Sequence, residues 1–189
     1  IQESCNIYYY TVGYNLSFLD TGVYNDPVGI KYINKYSSLF GLNQKTGLEV
    51  AESQSQIADE YPVMAAIGQS NHNMTTAALS RYVTAVSNGK LYNYQLMNKI
   101  VDCNGNLVVN YEPQYEDISE VISNEEWAAI RLGMNRVTQN VYFDSLGFKV
   151  AGKTGTAQQV KTRPNHALFV GYAPYEEPEI SIATRIAYG

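Results

Sequence analysis

Cysteine is nearly absent from this 189-residue chain, which carries only Cys5 and Cys103. Two cysteines make no disulfide framework, and no Cys-x-x-Cys pair of the zinc-binding kind is present. Histidine is as scarce, with His72 and His166 alone. A four-ligand metal site would need nearly all four of these residues to converge, so no metal and no cofactor is expected. No stretch reaches the roughly 18 consecutive apolar residues of a membrane-spanning helix. A basic stripe is missing too. Thirteen Lys and Arg stand against 18 Asp and Glu, a net charge of −5, and the cations are scattered. Such a chain is a poor nucleic-acid binder, and no nucleic-acid partner is expected. The opening Ile1-Gln2-Glu3-Ser4-Cys5-Asn6 has no initiator Met and no signal-peptide pattern. The other end, Ile180 to Gly189, is a strand pattern with no element after it. Both ends read as cut from a longer protein.

What is abundant is tyrosine, 17 residues against 5 Phe and 1 Trp. Tyrosine buries a ring and keeps a wet hydroxyl, which suits cleft walls and half-exposed helices. Residues 4–13 read as a helix beginning near Ser4, with Ile7, Tyr10 and Tyr14 on one face. Asp26-Pro27 supplies an N-cap and a proline at the first helical position. Val28, Tyr32, Ile33, Tyr36 and Leu39/Phe40 follow at helical spacing, and Gly41 ends the run. Residues 43–60 are polar and aperiodic and read as a loop. Thr75 caps a helix whose stripe is Leu79, Tyr82, Val83 and Val86, with Gly89 behind it. Residues 96–111 form a hairpin pattern around Asn104-Gly105, a pair suited to a type I′ turn. Ser123 and Glu126 make a capping box before Trp127, Ile130, Met134 and Val137.

Toward the end of the chain the period changes from 3.6 to 2. Phe148–Thr156, Ala167–Ala173 and Glu179–Ala187 read as three strands joined by short connections, hence an antiparallel meander. Helices precede strands without βα alternation, so the fold class is α+β, an antiparallel sheet with flanking helices.

The strongest chemical signal is Lys153-Thr154-Gly155-Thr156. It places a cation, two hydroxyls and a glycine along an extended backbone. The glycine lets a ligand backbone approach closely, and an edge strand there can accept a peptide by strand addition. Alone, the tetrapeptide is equally an ordinary glycine-containing strand with a solvated lysine. Ser4-Cys5-Asn6 adds a Ser-x-Asn triplet at a helix start, where Ser and Asn also serve as capping groups. Cys5 between them reads as a small packed residue, and His166 receives no role.

Lys-Thr-Gly and Ser-x-Asn are two signatures of penicillin-binding proteins and serine β-lactamases. With their company, the chain resembles the class B penicillin-binding proteins, the high-molecular-weight peptidoglycan transpeptidases. The resemblance runs over nearly all 189 residues. It includes Tyr8 to Gly13, Leu39 to Glu49, Ala66 to Ser70 followed by Thr75 and Leu79, Ala151 to Gln158, and Asn165 to Pro174. Ser70 and Thr76 depart mildly, standing where the family often has glycine and proline. The larger departure is the family's nucleophilic Ser-x-x-Lys, which lies upstream of Ser-x-Asn and is missing. Ser87-Asn88-Gly89-Lys90 matches its letters but sits downstream at a helix end, and is taken as chance.

The resemblance implies that residues 1–189 are the C-terminal portion of a transpeptidase domain of the penicillin-binding protein and serine β-lactamase-like fold. It implies a serine-type enzyme that cross-links peptidoglycan stem peptides by acyl transfer and binds β-lactams. By the same resemblance, Ser4, Asn6 and Lys153 are catalytic, with Ser4 on the proton path to the leaving nitrogen. Thr154, Gly155 and Thr156 bind substrate, the Thr156 N–H being half of an oxyanion hole. The whole protein would be membrane-anchored on the extracytoplasmic face of the bacterial cell membrane, beside membrane proteins of cell-wall synthesis. A β-lactamase or β-lactam sensor, and a non-catalytic binder of cell-wall peptide, are the alternatives. With the family's first two strands upstream, the Ile180, Ile182, Thr184, Ile186 strand is left as a bare edge. The chain is therefore expected to self-associate through residues 179–187, to swap elements, or to need a chain carrying the upstream half.

Residues 1–189 incubated with a labelled penicillin should gain no covalent adduct by intact-mass spectrometry. A stoichiometric penicilloyl adduct would return Ser87 or Ser4 as the nucleophile.

Overall fold

The computed structural model describes residues 1–139, 143–158 and 162–188. Helices α1 (Asn6–Leu16), α2 (Asp26–Leu39) and the short α3 (Pro62–Ala65) come first. Helix α4 (Thr76–Asn88) leads through β1 (Lys90–Tyr92), β2 (Lys99–Val101), β3 (Leu107–Asn110) and β4 (Tyr115–Asp117) to α5 (Asn124–Thr138). The chain then runs up and down through β5 (Ala151–Ala157), β6 (His166–Ala173) and β7 (Ile180–Ile186). These three form an antiparallel sheet in sequence order, while β1 pairs with β4 and β2 with β3. This is the α+β meander that the change of period implied.

Helices α4 and α5 form and pack as their sequences dictate. Thr75 Oγ1 accepts from the Ala78 N–H at 3.1 Å, and Gly89 ends α4 at φ +76°, where a side chain is strained. Ser123 and Glu126 satisfy each other's backbone N–H groups at the start of α5. Between the caps, Val83 and Val86 of α4 and Trp127 and Met134 of α5 join Phe40, Leu91, Ile118, Ala151 and Tyr172 in one buried cluster. Leu79, Tyr82, Ile130 and Val137 are half-buried. Polar groups pin the helices to the sheet. Asn135 Nδ2 and Thr138 Oγ1 both donate to the Val150 carbonyl, at 2.8 and 2.5 Å. Thr84 and Ser181 hydroxyls bond at 2.6 Å. Each buried polar group so paired avoids a desolvation cost of about 1–3 kcal/mol.

Residues 43–60 have little regular structure, and two carboxylates hold them. Glu52 accepts from the Thr46 N–H, the Thr46 hydroxyl at 2.6 Å and the Gly47 N–H. These donors keep its carboxyl below the usual range. Glu49 accepts from the Leu96 N–H at 2.8 Å and ties the loop to the hairpin.

Several sequence expectations need correction. Helix α1 starts at Asn6 with Cys5 as N-cap, and Ser4 stands before it at φ +48° in a tight turn whose N–H donates to Ile1 O. On its expected face Ile7 and Tyr14 are exposed and Tyr10 is half-buried, and its one buried position is Gly13, followed by the buried C-cap Ser17. A Cβ on Gly13 would lie 2.6 Å from Pro62 O, so α1 meets α3 through its smallest residues rather than its most apolar ones. The N-cap of α2 is Asn25, one residue before Asp26. In α2 Val28, Gly29 and Ile30 are buried, while Tyr36 faces solvent. The β2–β3 turn is not type I′, which needs positive φ at both central residues. Only Gly105 has it, and the Asp102 carboxylate shapes a longer loop by accepting from the Asn104 and Asn106 N–H groups.

Replacing Ser123 with Ala should cost about 0.5–2 kcal/mol of stability in urea denaturation, the usual worth of an N-cap. An unchanged midpoint would show that α5 is held by tertiary packing alone.

Candidate active site

Strand β5 carries the chemistry and is built to do so. Its first residues are shut in: Ala151 is fully buried beneath α5, and Gly152 lies against the Phe169 ring. From Lys153 onward exposure alternates, with Thr154 and Thr156 open. Strand β6 pairs along one edge of β5, in the register Lys153–Val170, Thr154–Phe169, Gly155–Leu168 and Thr156–Ala167. The other edge has no strand among the described residues. Gln69, from the loop after α3, reaches it and donates from Nε2 to Thr156 O at 3.3 Å. A strand residue points its N–H and C=O to the same side, so the Thr156 N–H is also directed at this open edge.

Between that edge and the start of α1 lies a cleft of about 860 Å³. Ser4, Asn6, Lys153, Thr154, Gly155 and Thr156 all line it. Residues some 150 positions apart in the sequence thus share one cavity. Tyr9, Ile67, Tyr82, Ile130, Met134 and Val170 add an apolar wall, and Gln69, Gln158 and Asn165 further polar groups. Among the described residues no Asp or Glu lines it, although the chain carries 18. Lys153 is the one Lys or Arg side chain among its described lining residues. Burial pulls the Lys153 ammonium below the ordinary lysine range, and its Nζ donates to Thr154 O at 2.8 Å. Backbone and hydroxyl donors around the Lys153 ammonium suit a ligand bearing a carboxylate and a polarised carbonyl.

Two features escaped the sequence reading. One is the Gln69 bridge across the cleft, which a polar residue in an irregular loop does not announce. The other is the backbone of Ser4: a non-glycine residue at positive φ is a strained conformation, and such residues concentrate at functional sites. Cys5 is exposed, not packed, because the N-cap lies outside the α1–α3 contact. Ser87 is buried in the last turn of α4, donates to Thr84 O at 2.7 Å and does not line the cleft. His166 is buried and accepts from Arg185 Nη2, with Nε2 at 2.8 Å. Among the described residues no group of three His, Cys, Asp or Glu side chains is placed to hold a metal.

With the fold and the cleft described, the comparisons place the chain in a family. The model of the penicillin binding protein transpeptidase domain matches residues 1–188, and the chain belongs to that family. It is 27% identical over 220 residues to the peptidoglycan D,D-transpeptidase MrdA of Haemophilus influenzae, covering 96% of this chain and 31% of that protein. The chain therefore spans about a third of that relative's length. Among solved structures, penicillin-binding protein 2B of Streptococcus pneumoniae superposes with a TM-score of 0.82 at 22% identity, covering 100% of this chain and 35% of that one. Penicillin-binding protein A of M. tuberculosis, as an imipenem acyl-enzyme complex, gives 0.79 at 21% identity, covering 99% and 41%.

The two glycines of β5 differ in what they are for. A Cβ at Gly152 would enter the Phe169 ring and come within 2.9 Å of Val170 O, whereas one at Gly155 meets only Leu168, at 3.4 and 3.7 Å. Gly152→Ala should therefore lose about 1–3 kcal/mol by overpacking. Gly155→Ala should fold at least as well as the native chain, and paired thermal melts will separate the two.

Proposed function

We propose that this chain is the C-terminal portion of the transpeptidase domain of a peptidoglycan D,D-transpeptidase. The observation that carries the reading is the meeting of Ser4, Asn6 and Lys153–Thr156 in one cleft. The nucleophile is a serine of a Ser-x-x-Lys segment outside residues 1–189. It attacks the D-Ala-D-Ala carbonyl of a stem peptide, the acyl bond forms as the terminal D-Ala leaves, and an amine of a second stem resolves the ester into a cross-link. The Thr154 and Thr156 hydroxyls receive the terminal carboxylate, with Lys153 supplying charge. The Thr156 N–H takes the oxyanion; one such donor is typically worth about 2.7–4 kcal/mol. Ser4 passes the proton toward the leaving nitrogen, and Asn6 bonds the substrate amide. Gly155 leaves room for the peptide backbone.

β-Lactams enter the same cleft and leave a slow acyl-enzyme. No helix among the described residues is long and apolar enough to cross a membrane. In this reading an upstream segment anchors the whole protein at the extracytoplasmic face, beside membrane proteins of cell-wall synthesis.

In the whole protein, Lys153→Ala and Asn6→Ala should each slow acylation by a fluorescent penicillin at least about 100-fold, on the scale of losing one preorganised polar group. Native acylation rates in both variants would remove these residues from the mechanism.

Residues 179–187 support a second part of the proposal. Ile180, Ile182 and Ile186 of β7 are 67%, 53% and 61% exposed, on the face opposite α4. An apolar strand so presented is a template for association. Residues 1–189 should form dimers or larger species in light scattering, and Ile182→Lys should reduce them. A clean monomer at high concentration would overturn this part.

A further inference from the structure

Beyond Thr156 the cleft continues to the end of the β5–β6 ladder, where Gln158 and Asn165 line it. Immediately past them is a cluster of unusual composition. Arg163 Nη1 donates to the Tyr188 hydroxyl at 2.7 Å, and its guanidinium lies 5.2 Å from the centre of the Tyr188 ring. The Tyr188 ring rests on the imidazole of His166, with centroids 4.7 Å apart. On the far side, Arg185 Nη2 donates to His166 Nε2 at 2.8 Å. Two guanidiniums therefore flank a tyrosine and a histidine whose rings meet at a tilt of 48°. Burial and the adjacent Arg185 charge both hold the imidazole in its neutral form, so it accepts from Arg185 rather than repelling it.

The partners of these arginines are neutral. Lys31 is paired with Asp20, and Lys149 with Glu176. Neither Arg163 nor Arg185 has a carboxylate within ion-pair distance among the described residues. In a chain with net charge −5, two oriented guanidiniums have no Asp or Glu in ion-pair reach, and no Asp or Glu lines the cleft, among the described residues. Each guanidinium has five N–H donors in a fixed fork, and the bonds above leave several of them unused.

We propose that Arg163 and Arg185 form a carboxylate subsite that holds an acidic residue of a peptide lying along the open edge of β5. The inference rests on the peptide reading of the cleft given above. At one end of the open edge Ala151 is buried in the core, and toward the other the cleft is lined by Gln158 and Asn165. In this reading a peptide whose terminal carboxylate is at Thr154 and Thr156 extends toward Gln158 and Asn165, with Arg163 two residues before Asn165 in the chain. His166 pairs with Ala157, one position beyond Thr156, and Arg185 pairs across β6 with Leu168, opposite Gly155. At about 3.3 Å per residue, the third or fourth residue from the peptide's end arrives beside the cluster. Arginine recognises a carboxylate there in a paired, directional way that scattered lysines do not.

The test uses the whole protein and two synthetic peptides ending in D-Ala-D-Ala that differ only in Glu or Gln at the third position from the end. Binding is read by fluorescence anisotropy at low and at physiological salt. The native protein should prefer the Glu peptide about ten-fold at low salt, and less as salt screens the exposed arginines. The preference should fall below about two-fold in Arg163→Gln/Arg185→Gln, and part-way in Arg163→Gln alone, a variant at an exposed side chain. Circular dichroism checks that both variants remain folded. Equal affinities for the two peptides in the native protein would overturn the subsite while leaving the peptide reading intact. So would a preference that survives in the double variant. Binding of neither peptide would overturn the peptide reading, and the subsite with it.

Discussion

The structure depends on keeping one strand covered on a face and open along an edge. Strand β5 is fixed at its start, where Asn135 and Thr138 of α5 satisfy the Val150 carbonyl and Ala151 is sealed into the core. It is paired on one side only, by β6. An unpaired edge carries exposed N–H and C=O groups and is normally a hazard. Here part of that edge is occupied by the chain's own groups, since Lys153 takes the Thr154 carbonyl and Gln69 the Thr156 carbonyl. Acceptors are thereby consumed, while the Thr156 N–H remains directed into the cleft. An edge depleted of acceptors and left with a donor, next to a partly desolvated ammonium, selects for negative charge and a carbonyl oxygen.

The rest of the fold sets the opposite wall at the right distance. Helix α1 must approach α3 closely, which Gly13 permits, and Gly29 of α2 similarly leaves no room for a side chain beside Ser17 and Pro62. These contacts position Ser4, Asn6 and the Gln69 loop relative to β5. The 43–60 segment, which lacks periodic packing, is held by Glu52 and Glu49 through backbone N–H groups. Such bonds orient a loop without needing an apolar core beneath it. Phe169 lies over Gly152 and Gly171 on the outer face of the sheet, filling the space the two glycines leave.

Much of this was legible in the sequence where a local rule has one physical outcome. Thr75 with Gly89, and Ser123 with Glu126, bracket α4 and α5 because unsatisfied helix ends demand such residues. The alternation after Phe148 reads as strands because a half-buried strand has period 2. The pairing of Ser4-Cys5-Asn6 with Lys153-Thr154-Gly155-Thr156 came from family resemblance, since nothing in either segment alone brings residue 4 near residue 153. Helix α1 was read onto the wrong face because its apolar residues surround it and Gly13, with no side chain, carries no periodic signal. The hairpin turn was misread because Asn104-Gly105 suits two turn types, and the Asp102 carboxylate decides between them. The Gln69 bridge and the Arg163–Tyr188–His166–Arg185 cluster join residues distant in sequence, and no spacing rule reports them.

The central claim is that the open edge of β5, facing Ser4 and Asn6, is where an acyl group and its carboxylate are held. A crystal structure of the whole protein after reaction with a penicillin tests it most directly. The account predicts the ligand carboxylate within about 2.6–3.2 Å of the Thr154 or Thr156 hydroxyl, and the acyl oxygen facing the Thr156 N–H. An acylated protein whose ligand lies away from β5, with Lys153 and Asn6 untouched, would contradict it.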